Sequence, residues 1–276
     1  MIMKDKMLES FQSWNDRNKR QKIKEILPLS YSQLTDFAFN RSGWALRRIF
    51  GFKFPTSAAA ERGSAIESGL SILLNGKSMA QAQKGMLYQF DENVKNLIDP
   101  NIQSERALLK NMLIYSWVEI DKKNWKLLDY QKKVETEISG IPVIGYTDFH
   151  FEDTETKQDF YIDLKTSKRM PSEVSLSYAM QQAIYAKATN AEQRLIYVIG
   201  YKNKEPVIVD DLKVNDYSQY IKIAEHIVNV MGDFLYRNKT PENIKNAIVP
   251  DPEHWWWNYP KGDIVKIEAR KQIWGY

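Results

Sequence analysis

The chain has 276 residues, of which 43% are hydrophobic, enough to bury a substantial core. It contains no cysteine, which excludes disulfides and thiolate metal sites. Its net charge of +4 gives a mild bias toward polyanions, and no apolar run has the length of a membrane span. The N-terminus lacks the apolar region of a signal peptide, so we expect a soluble, intracellular protein without membrane contact.

Charge and hydrophobicity patterns along the chain predict three segments. Residues 1–28 form a basic segment that we expect to be helical. Residues 29–245 are expected to form one domain, with a helical insertion around 75–130. Within this domain the patterns predict helices over 58–74, 78–97, 103–128, 172–189 and 216–238, and strands over 131–138, 143–151, 160–165, 193–201 and 206–214. The order of these helices and strands along the chain predicts an α/β fold.

Two aromatic segments each allow two interpretations. Residues 41–54 mix cations with aromatic side chains, which suits either an amphipathic helix with a buried edge or a surface that holds phosphates and stacks bases. Residues 246–276 form a tail that contains Trp255, Trp256 and Trp257, which cannot all face one core. We expect the tail to pack on the domain, with base stacking as the alternative use.

The strands over 143–151 and 160–165 are rich in β-branched and aromatic residues and are joined by a polar connector, which predicts an antiparallel hairpin. A turn centred between residues 155 and 156 places Phe151 opposite Phe160, His150 opposite Tyr161, and Asp148 opposite Asp163. Directly opposed residues have Cβ atoms about 4.5–5.5 Å apart. The hairpin therefore brings two carboxylates together.

Two carboxylates at that separation repel each other unless a cation lies between them, and hard divalent ions take oxygen ligands. Lys165 shares a strand face with Asp163, so it can reach a water or a phosphate bound to the same ion. The alternative is a solvated strand face, since an acidic residue two positions before a lysine is common. His150 is expected to be a surface residue and not a ligand.

These residues resemble the core motif of the PD-(D/E)XK nuclease superfamily, in particular its RecB-like branch. Four pieces occur in the family's order over residues 29–200. They are Ser30-Tyr31-Ser32 before a helix, Gly63-Ser64-Ala65-Ile66-Glu67, the Gly145-x-x-Asp148 and Asp163-x-Lys165 pair, and Gln181-x-x-x-Tyr185. The resemblance implies a restriction-endonuclease-like core, a mixed central β-sheet flanked by helices, with a helical N-terminal elaboration.

The resemblance also implies roles for individual residues. Catalytic roles fall to Asp148, Asp163, Lys165 and Glu67, although Glu67 stands where many relatives have His. Metal ligands are expected to be Glu67, Asp148, Asp163 and the backbone carbonyl of Leu164. Gln181 and Tyr185, one helical turn apart, are expected to steady the site and hold the substrate backbone.

Further substrate contacts are expected from Ser30, Ser32, Arg62 and Lys168, the last two because they are cations beside the site. Both serines are equally plausible as helix N-caps. Mg²⁺ is the expected cofactor, with Mn²⁺ able to substitute and Ca²⁺ binding without turnover. Some relatives carry an iron–sulfur cluster on four cysteines, which this chain cannot.

The function that the resemblance implies is a metal-dependent DNA exonuclease acting at single- or double-stranded ends in replication, repair or recombination. A phage origin, a cytoplasmic location in a bacterial or infected host cell, and a single-strand-annealing or recombination protein as partner are part of this expectation. The alternatives are a structure-selective endonuclease and a non-catalytic nucleic-acid-binding protein on a nuclease fold.

Overall fold

The computed structural model describes residues 2–200, 208–212, 214, 216–261 and 264–276. Helices occupy much of the first half and flank a sheet in the second. The helices are α1 (Ile2–Arg20), α2 (Tyr31–Phe39), α3 (Arg41–Arg48), α4 (Ala58–Leu74), α5 (Met79–Val94), α6 (Ile102–Arg106), α7 (Leu109–Asp121), α8 (Leu176–Thr189), α9 (Ser218–Arg237), α10 (Pro241–Ala247) and α11 (Val265–Trp274), with a short 3₁₀ helix at Trp255–Asn258. The strands are β1 (Trp125–Ile138), β2 (Ile141–Asp153), β3 (Asp159–Ser167), β4 (Glu192–Ile199) and β5 (Ile208–Leu212).

Side-chain caps explain where several helices begin. Ser30, Ser57 and Ser175 each accept a hydrogen bond from a backbone N–H three residues on, at the starts of α2, α4 and α8. At α5, Ser78 and Gln81 form a reciprocal capping box. Such bonds satisfy N–H groups that have no partner within the helix. Local sequence therefore sets the start of the helices that carry Glu67 and Gln181.

The sheet has the strand order β1-β2-β3-β4-β5 among the described residues. β3 and β4 run parallel, and α8 makes the crossover between them. The other neighbours are antiparallel. A parallel pair needs such a crossover, whereas antiparallel strands can be joined by short turns. The predicted mixed sheet flanked by helices is confirmed.

Two apolar cores pack on the sheet. The first joins α1, α2, α8 and α9 to the end of the β1–β2 hairpin, around residues such as Phe37, Trp44 and Met231. The second joins α4, α5 and α7 to β2, β3 and β4, around Phe149 and Phe160. Because Phe149, Ile162 and Leu164 belong to the second core, the alternate residues of β2 and β3 are left to form a polar site.

The predicted elements overlap those of the structure, but several bounds differ. The predicted strand 131–138 is the second half of β1, which begins at Trp125, and the end of the predicted strand 193–201 lies outside the described residues. The predicted helix 58–74 has the bounds of α4, and 216–238 is close to α9. The predicted helix over 103–128 is wrong, because this stretch divides into α6 and α7 and its last residues already belong to β1. The ends of the predicted strand 206–214 lie partly outside the described residues. No described helix is long and apolar enough to cross a membrane.

Candidate active site

The hairpin of β2 and β3 has the predicted register where the strands are paired. His150 is paired with Tyr161 and Phe151 with Phe160, and the ladder runs from Phe149 opposite Ile162 to Glu152 opposite Asp159. The predicted pairing of Asp148 with Asp163 is not part of this ladder. The strands separate at that point, and Leu164 N–H donates instead to Asp148 Oδ2 at 2.7 Å.

Asp148 also interrupts the ladder on its other side. β1 pairs Tyr130 with Phe149 and Lys132 with Thr147, but the ladder omits Gln131, which has a positive φ of 52°. Burial raises the pKa of Asp148 well above its usual value, and the negative charges of Asp163 and Glu67 raise it further. Three carboxylates therefore act on one another at this break in the sheet.

Asp163 is 3% exposed and is held from two sides. Gln181 Nε2 donates to Asp163 Oδ1 at 2.8 Å. Lys165 Nζ lies 2.6 Å from Asp163 Oδ2, although this oxygen receives no hydrogen bond of acceptable direction from any described residue. The carboxylate thus has one oxygen fixed by the Gln181 amide and one that faces the Lys165 ammonium.

Lys165 lies between this carboxylate and aromatic side chains, with its ammonium 4.6 Å from the ring centroid of Tyr178. Burial alone would lower the pKa of Lys165, but the attraction of Asp163, Tyr31 and Asp148 outweighs it and raises the pKa above its usual value. The side chain therefore remains an ammonium group beside the two carboxylates.

Glu67 comes to the site from α4. Its carboxylate accepts a hydrogen bond from Gln131 Nε2 at 3.1 Å, and Tyr130 also bonds to it. Burial raises the pKa of Glu67, against the lowering effect of those two bonds, and Asp163 raises it further. Glu67 is thus close enough to interact electrostatically with Asp163 and Asp148, while its hydrogen bonds with Tyr130 and Gln131 hold its carboxylate toward β1.

Gln181 and Tyr185 lie one turn apart on α8, as the sequence predicts, and both face the site. A Cβ on Gly145 would lie 2.1 Å from Tyr185 Cε1, so only glycine lets this ring pack on β2. Burial raises the pKa of Tyr185 to about 12, although hydrogen bonds from Gln181 and the Tyr146 backbone lower it. Gly145, the glycine of the Gly-x-x-Asp motif, therefore leaves the space in which the Tyr185 ring packs.

These groups line one cleft with a volume of about 700 Å³. Asp148, Asp163 and Lys165 lie in it with Gln181, Tyr185, Ser30 and Ser32, whereas Glu67 is not among its lining residues. Ser30 caps α2, and its Oγ lies 2.9 Å from Ser32 Oγ. The N-cap interpretation of Ser30 is confirmed, and both hydroxyls also border the cleft.

The structure places two predicted substrate-binding cations differently. Arg62 is 3% exposed and forms an ion pair with the buried Glu105, and its Nη2 donates to Thr166 O at 3.1 Å. Lys168 also pairs with Glu105. The prediction that Arg62 contacts substrate is corrected by this burial. Arg62 instead ties α4, which carries Glu67, to the end of β3, which carries Asp163 and Lys165.

His150 also differs from its prediction as a surface residue, since it is only 6% exposed. Its Nε2 lies 2.9 Å from Asp159 Oδ2, and its ring stacks on Tyr161 at 4.1 Å between centroids. Both contacts lie toward the turn of the hairpin, away from Asp148. His150 therefore supports the hairpin and is not part of the site.

The donor set fits a hard divalent ion. Asp148 and Asp163 supply buried carboxylates that repel each other, and Asp163 Oδ2 already faces a cation, the ammonium of Lys165 at 2.6 Å. Within the described ranges no three His, Asp or Glu side chains already enclose a common point where an ion would bind. The contacts explain this, because Lys165 and Gln181 hold Asp163 while Gln131 holds Glu67.

Sequence reasoning missed several residues that hold the site. Tyr130 and Gln131 bind Glu67, Tyr178 lies against Lys165, and Glu105 holds Arg62. Gln131 and Glu67 are 64 positions apart, and Glu105 and Arg62 are 43 apart. No periodic or motif signal in one sequence marks such pairs. The sequence also gave no sign that the β1–β2 ladder is interrupted at Gln131, because glutamine does not favour a positive φ.

Comparison with known proteins gives a family and two structural likenesses. A family model described as the PD-(D/E)XK nuclease superfamily matches residues 28–229. A protein from Eubacterium rectale named "Putative exonuclease" is similar in structure, with a TM-score of 0.47 and 15% identity over 80% of this chain and 83% of that one. A protein named SSO0001 has a TM-score of 0.34 and 14% identity, over 91% and 96% of the two chains. None of the curated proteins compared with the sequence matches it.

Proposed function

The chain belongs to the PD-(D/E)XK nuclease superfamily, and on that premise we propose that it is a Mg²⁺-dependent deoxyribonuclease that hydrolyses phosphodiester bonds at DNA ends. Its mixed sheet flanked by helices is the restriction-endonuclease-like core of that superfamily. The observation that carries the proposal is the grouping of Asp148, Asp163 and Lys165 in one cleft beside Gln181. A role in DNA replication, repair or recombination belongs to the same proposal.

Asp148, Asp163 and the carbonyl of Leu164 would hold the metal, and Glu67 would join them if it released Gln131. A divalent ion bound there supplies a more acidic water and neutralises charge that develops on the phosphate. Mn²⁺ is proposed to substitute, and Ca²⁺ to bind without turnover. Without cysteine, the chain has no thiolate ligands for an iron–sulfur cluster.

The chain's own residues supply position and charge. The raised pKa of Lys165 keeps its ammonium form, which favours a role in stabilising negative charge on the phosphate over a role as general base. Gln181 fixes the direction of the Asp163 carboxylate. Ser30 and Ser32 offer hydroxyl donors at the wall of the cleft for phosphate oxygens of the substrate.

Digestion of end-labelled DNA tests the proposal. Linear single- and double-stranded DNA, labelled at either end, and a circular substrate are incubated with Mg²⁺, Mn²⁺, Ca²⁺ or EDTA. We expect Mg²⁺-dependent loss of linear DNA with circles intact, and no activity in Asp163→Asn. Asp159→Asn is the matched control, because Asp159 lies on the same strand but is exposed and contacts His150 outside the cleft.

Each other outcome points to a different function. Cut circles would identify an endonuclease, and intact DNA with every metal would leave a nucleic-acid-binding role. Loss of activity in both Asp163→Asn and Asp159→Asn would show that the substitutions disturb folding, and not that Asp163 binds the metal.

A further inference from the structure

Two cations besides Lys165 line the catalytic cleft, and the proposed chemistry uses neither. Lys24 lies in the segment between α1 and α2, and Arg48 is the last residue of α3. Both share the cleft with Asp148 and Asp163. A ligand in the cleft can therefore touch the carboxylates and these cations together.

Carboxylates balance the charges of Lys24 and Arg48 in part, because Asp36 acts on Arg48 while it is itself paired with Arg47. Neither forms an ion pair with any residue in the described part of the chain, whereas Lys165 pairs with Asp163 and Arg47 with Asp36. The charge of Arg48 lowers the pKa of Lys24 more than burial does. Burial, followed by the charge of Arg47, lowers the pKa of Arg48 to about 10. Two like charges that line one cleft favour an anion between them.

Arg48 is held in place by two contacts, and most of its side-chain donors have no partner among the residues that the structure describes. Its Nη1 donates to Glu25 O at 2.8 Å, and its own carbonyl accepts from Asn18 Nδ2 at 2.7 Å. A guanidinium has five N–H donors in a fixed plane, which matches the oxygens of a phosphate. The side chain is thus positioned before any ligand arrives.

Two carboxylates near this pair could oppose an anion, but other cations pair with both. Asp36 acts on Arg48 and pairs with Arg47 at 2.6 Å. Glu25 also lines the cleft, but its carboxylate pairs with Lys19 at 3.6 Å and accepts from Asn15 Nδ2 at 3.4 Å. The side chains of Lys19 and Asn15 come from α1 and do not line this cleft. Lys24 and Arg48 therefore dominate the charge at this end.

We propose that Lys24 and Arg48 form a subsite for the terminal phosphomonoester of a nucleic-acid strand, so that the enzyme selects phosphorylated ends. A terminal phosphate carries about −1.5 to −2 charges at neutral pH, whereas an internal phosphodiester carries one. Two cations without an ion-pair partner among the described residues therefore match the terminal group better. The inference rests on the proposed function, because it assumes that the cleft receives a nucleic-acid strand.

Binding without catalysis tests the subsite directly. Short single-stranded DNA, with a 5′-phosphate, a 3′-phosphate or neither, carries a fluorophore at the opposite end, and anisotropy is measured in EDTA so that nothing is cleaved. We expect one phosphorylated form to bind wild type about tenfold more tightly than the unphosphorylated strand. Lys24→Gln loses most of this preference, and its salt dependence falls by about one phosphate contact.

Lys22→Gln is the matched control, since Lys22 is an exposed lysine in the same segment that does not line the cleft. It keeps the preference. Arg48→Lys, which keeps the positive charge but removes the planar guanidinium group, loses part of the preference for the phosphorylated strand. Equal binding of phosphorylated and unphosphorylated strands by wild type would overturn the subsite, as would equal losses in Lys24→Gln and Lys22→Gln. Inorganic phosphate that binds as tightly as the phosphorylated strand would overturn its assignment to strand ends.

Cleavage of the same strands in Mg²⁺ separates this inference from the proposed function. A phosphate preference in binding without any cleavage would remove the nuclease proposal and keep a strand-end binding site. Cleavage without a phosphate preference would keep the nuclease and remove the subsite.

Discussion

Gln181 donates to a buried carboxylate oxygen of Asp163, and this single bond sets how the carboxylate faces Lys165. Both residues are nearly fully buried, so water cannot replace the bond. Groups that orient a metal ligand are commonly as sensitive to substitution as ligands themselves. The glutamine of the Gln-x-x-x-Tyr motif therefore serves to orient the Asp163 carboxylate through one hydrogen bond.

Replacing Gln181 with leucine should raise the Mg²⁺ concentration needed for half-maximal cleavage by about 10- to 100-fold, because Asp163 loses its orienting donor. The measurement is cleavage rate against Mg²⁺ concentration. Gln182→Leu is the matched control, since Gln182 is equally buried but its Nε2 has no hydrogen-bond partner among the described residues. An unchanged Mg²⁺ requirement in Gln181→Leu would contradict a positioning role.

The C-terminal tail gives its three tryptophans three different environments. Trp257 is 1% exposed, packs with Leu46 and Ala269, and donates from Nε1 to Asp251 O at 2.6 Å. Trp256 lies against Phe54, whereas Trp255 is 64% exposed. These contacts join α11 to the end of α3. We propose that aromatic packing of the tail, residues 246–276, fastens it to the domain.

Substitution of adjacent tryptophans tests this packing. Trp257→Ala should lower the free energy of unfolding by about 3–5 kcal/mol, because a large buried side chain is removed. Trp255→Ala should change it by about 0.5 kcal/mol or less, as expected for an exposed residue. Denaturant unfolding measures both. If Trp255→Ala instead weakened single-strand binding at unchanged stability, base stacking would be the use of Trp255.

At the scale of the whole molecule, the site is a source of instability in the metal-free fold. Burial and two neighbouring carboxylates raise the pKa of Asp148 above its usual 3.8. The contribution of this group to stability is therefore full below that value and is lost as the pH rises through the raised pKa. A bound divalent cation stabilises the charged form and so stabilises the fold.

Asp148→Asn should therefore raise the Tm of the metal-free protein at neutral pH, by about 2–4 °C for each 1 kcal/mol gained. The gain should shrink as the pH falls toward 3.8, where the wild-type carboxyl is also protonated. Added Mg²⁺ or Ca²⁺ should raise the Tm of wild type but not of the variant. Thermal unfolding with and without EDTA measures both effects, and a variant less stable than wild type in EDTA would contradict the repulsion.

Features that depend on neighbours in the chain could be predicted from the sequence alone. Alternation and a symmetric turn predicted the register of β2 and β3, because strand pairing across a short connector has few alternatives. The N-cap interpretation of Ser30 marked the start of α2, and the ordered motifs indicated the family that the comparison shows. These signals are local, so a single sequence carries them.

Which side chains from distant parts of the sequence meet is evident from the folded structure and not from the sequence. Arg62 is buried against Glu105, Gln131 donates to Glu67, and Lys24 and Arg48 line one cleft. Each pair joins different elements, so its arrangement depends on how the helices pack on the sheet and not on a period in the sequence. For the same reason, Asp148 leaves the ladder where β2 and β3 separate, which turn symmetry could not predict.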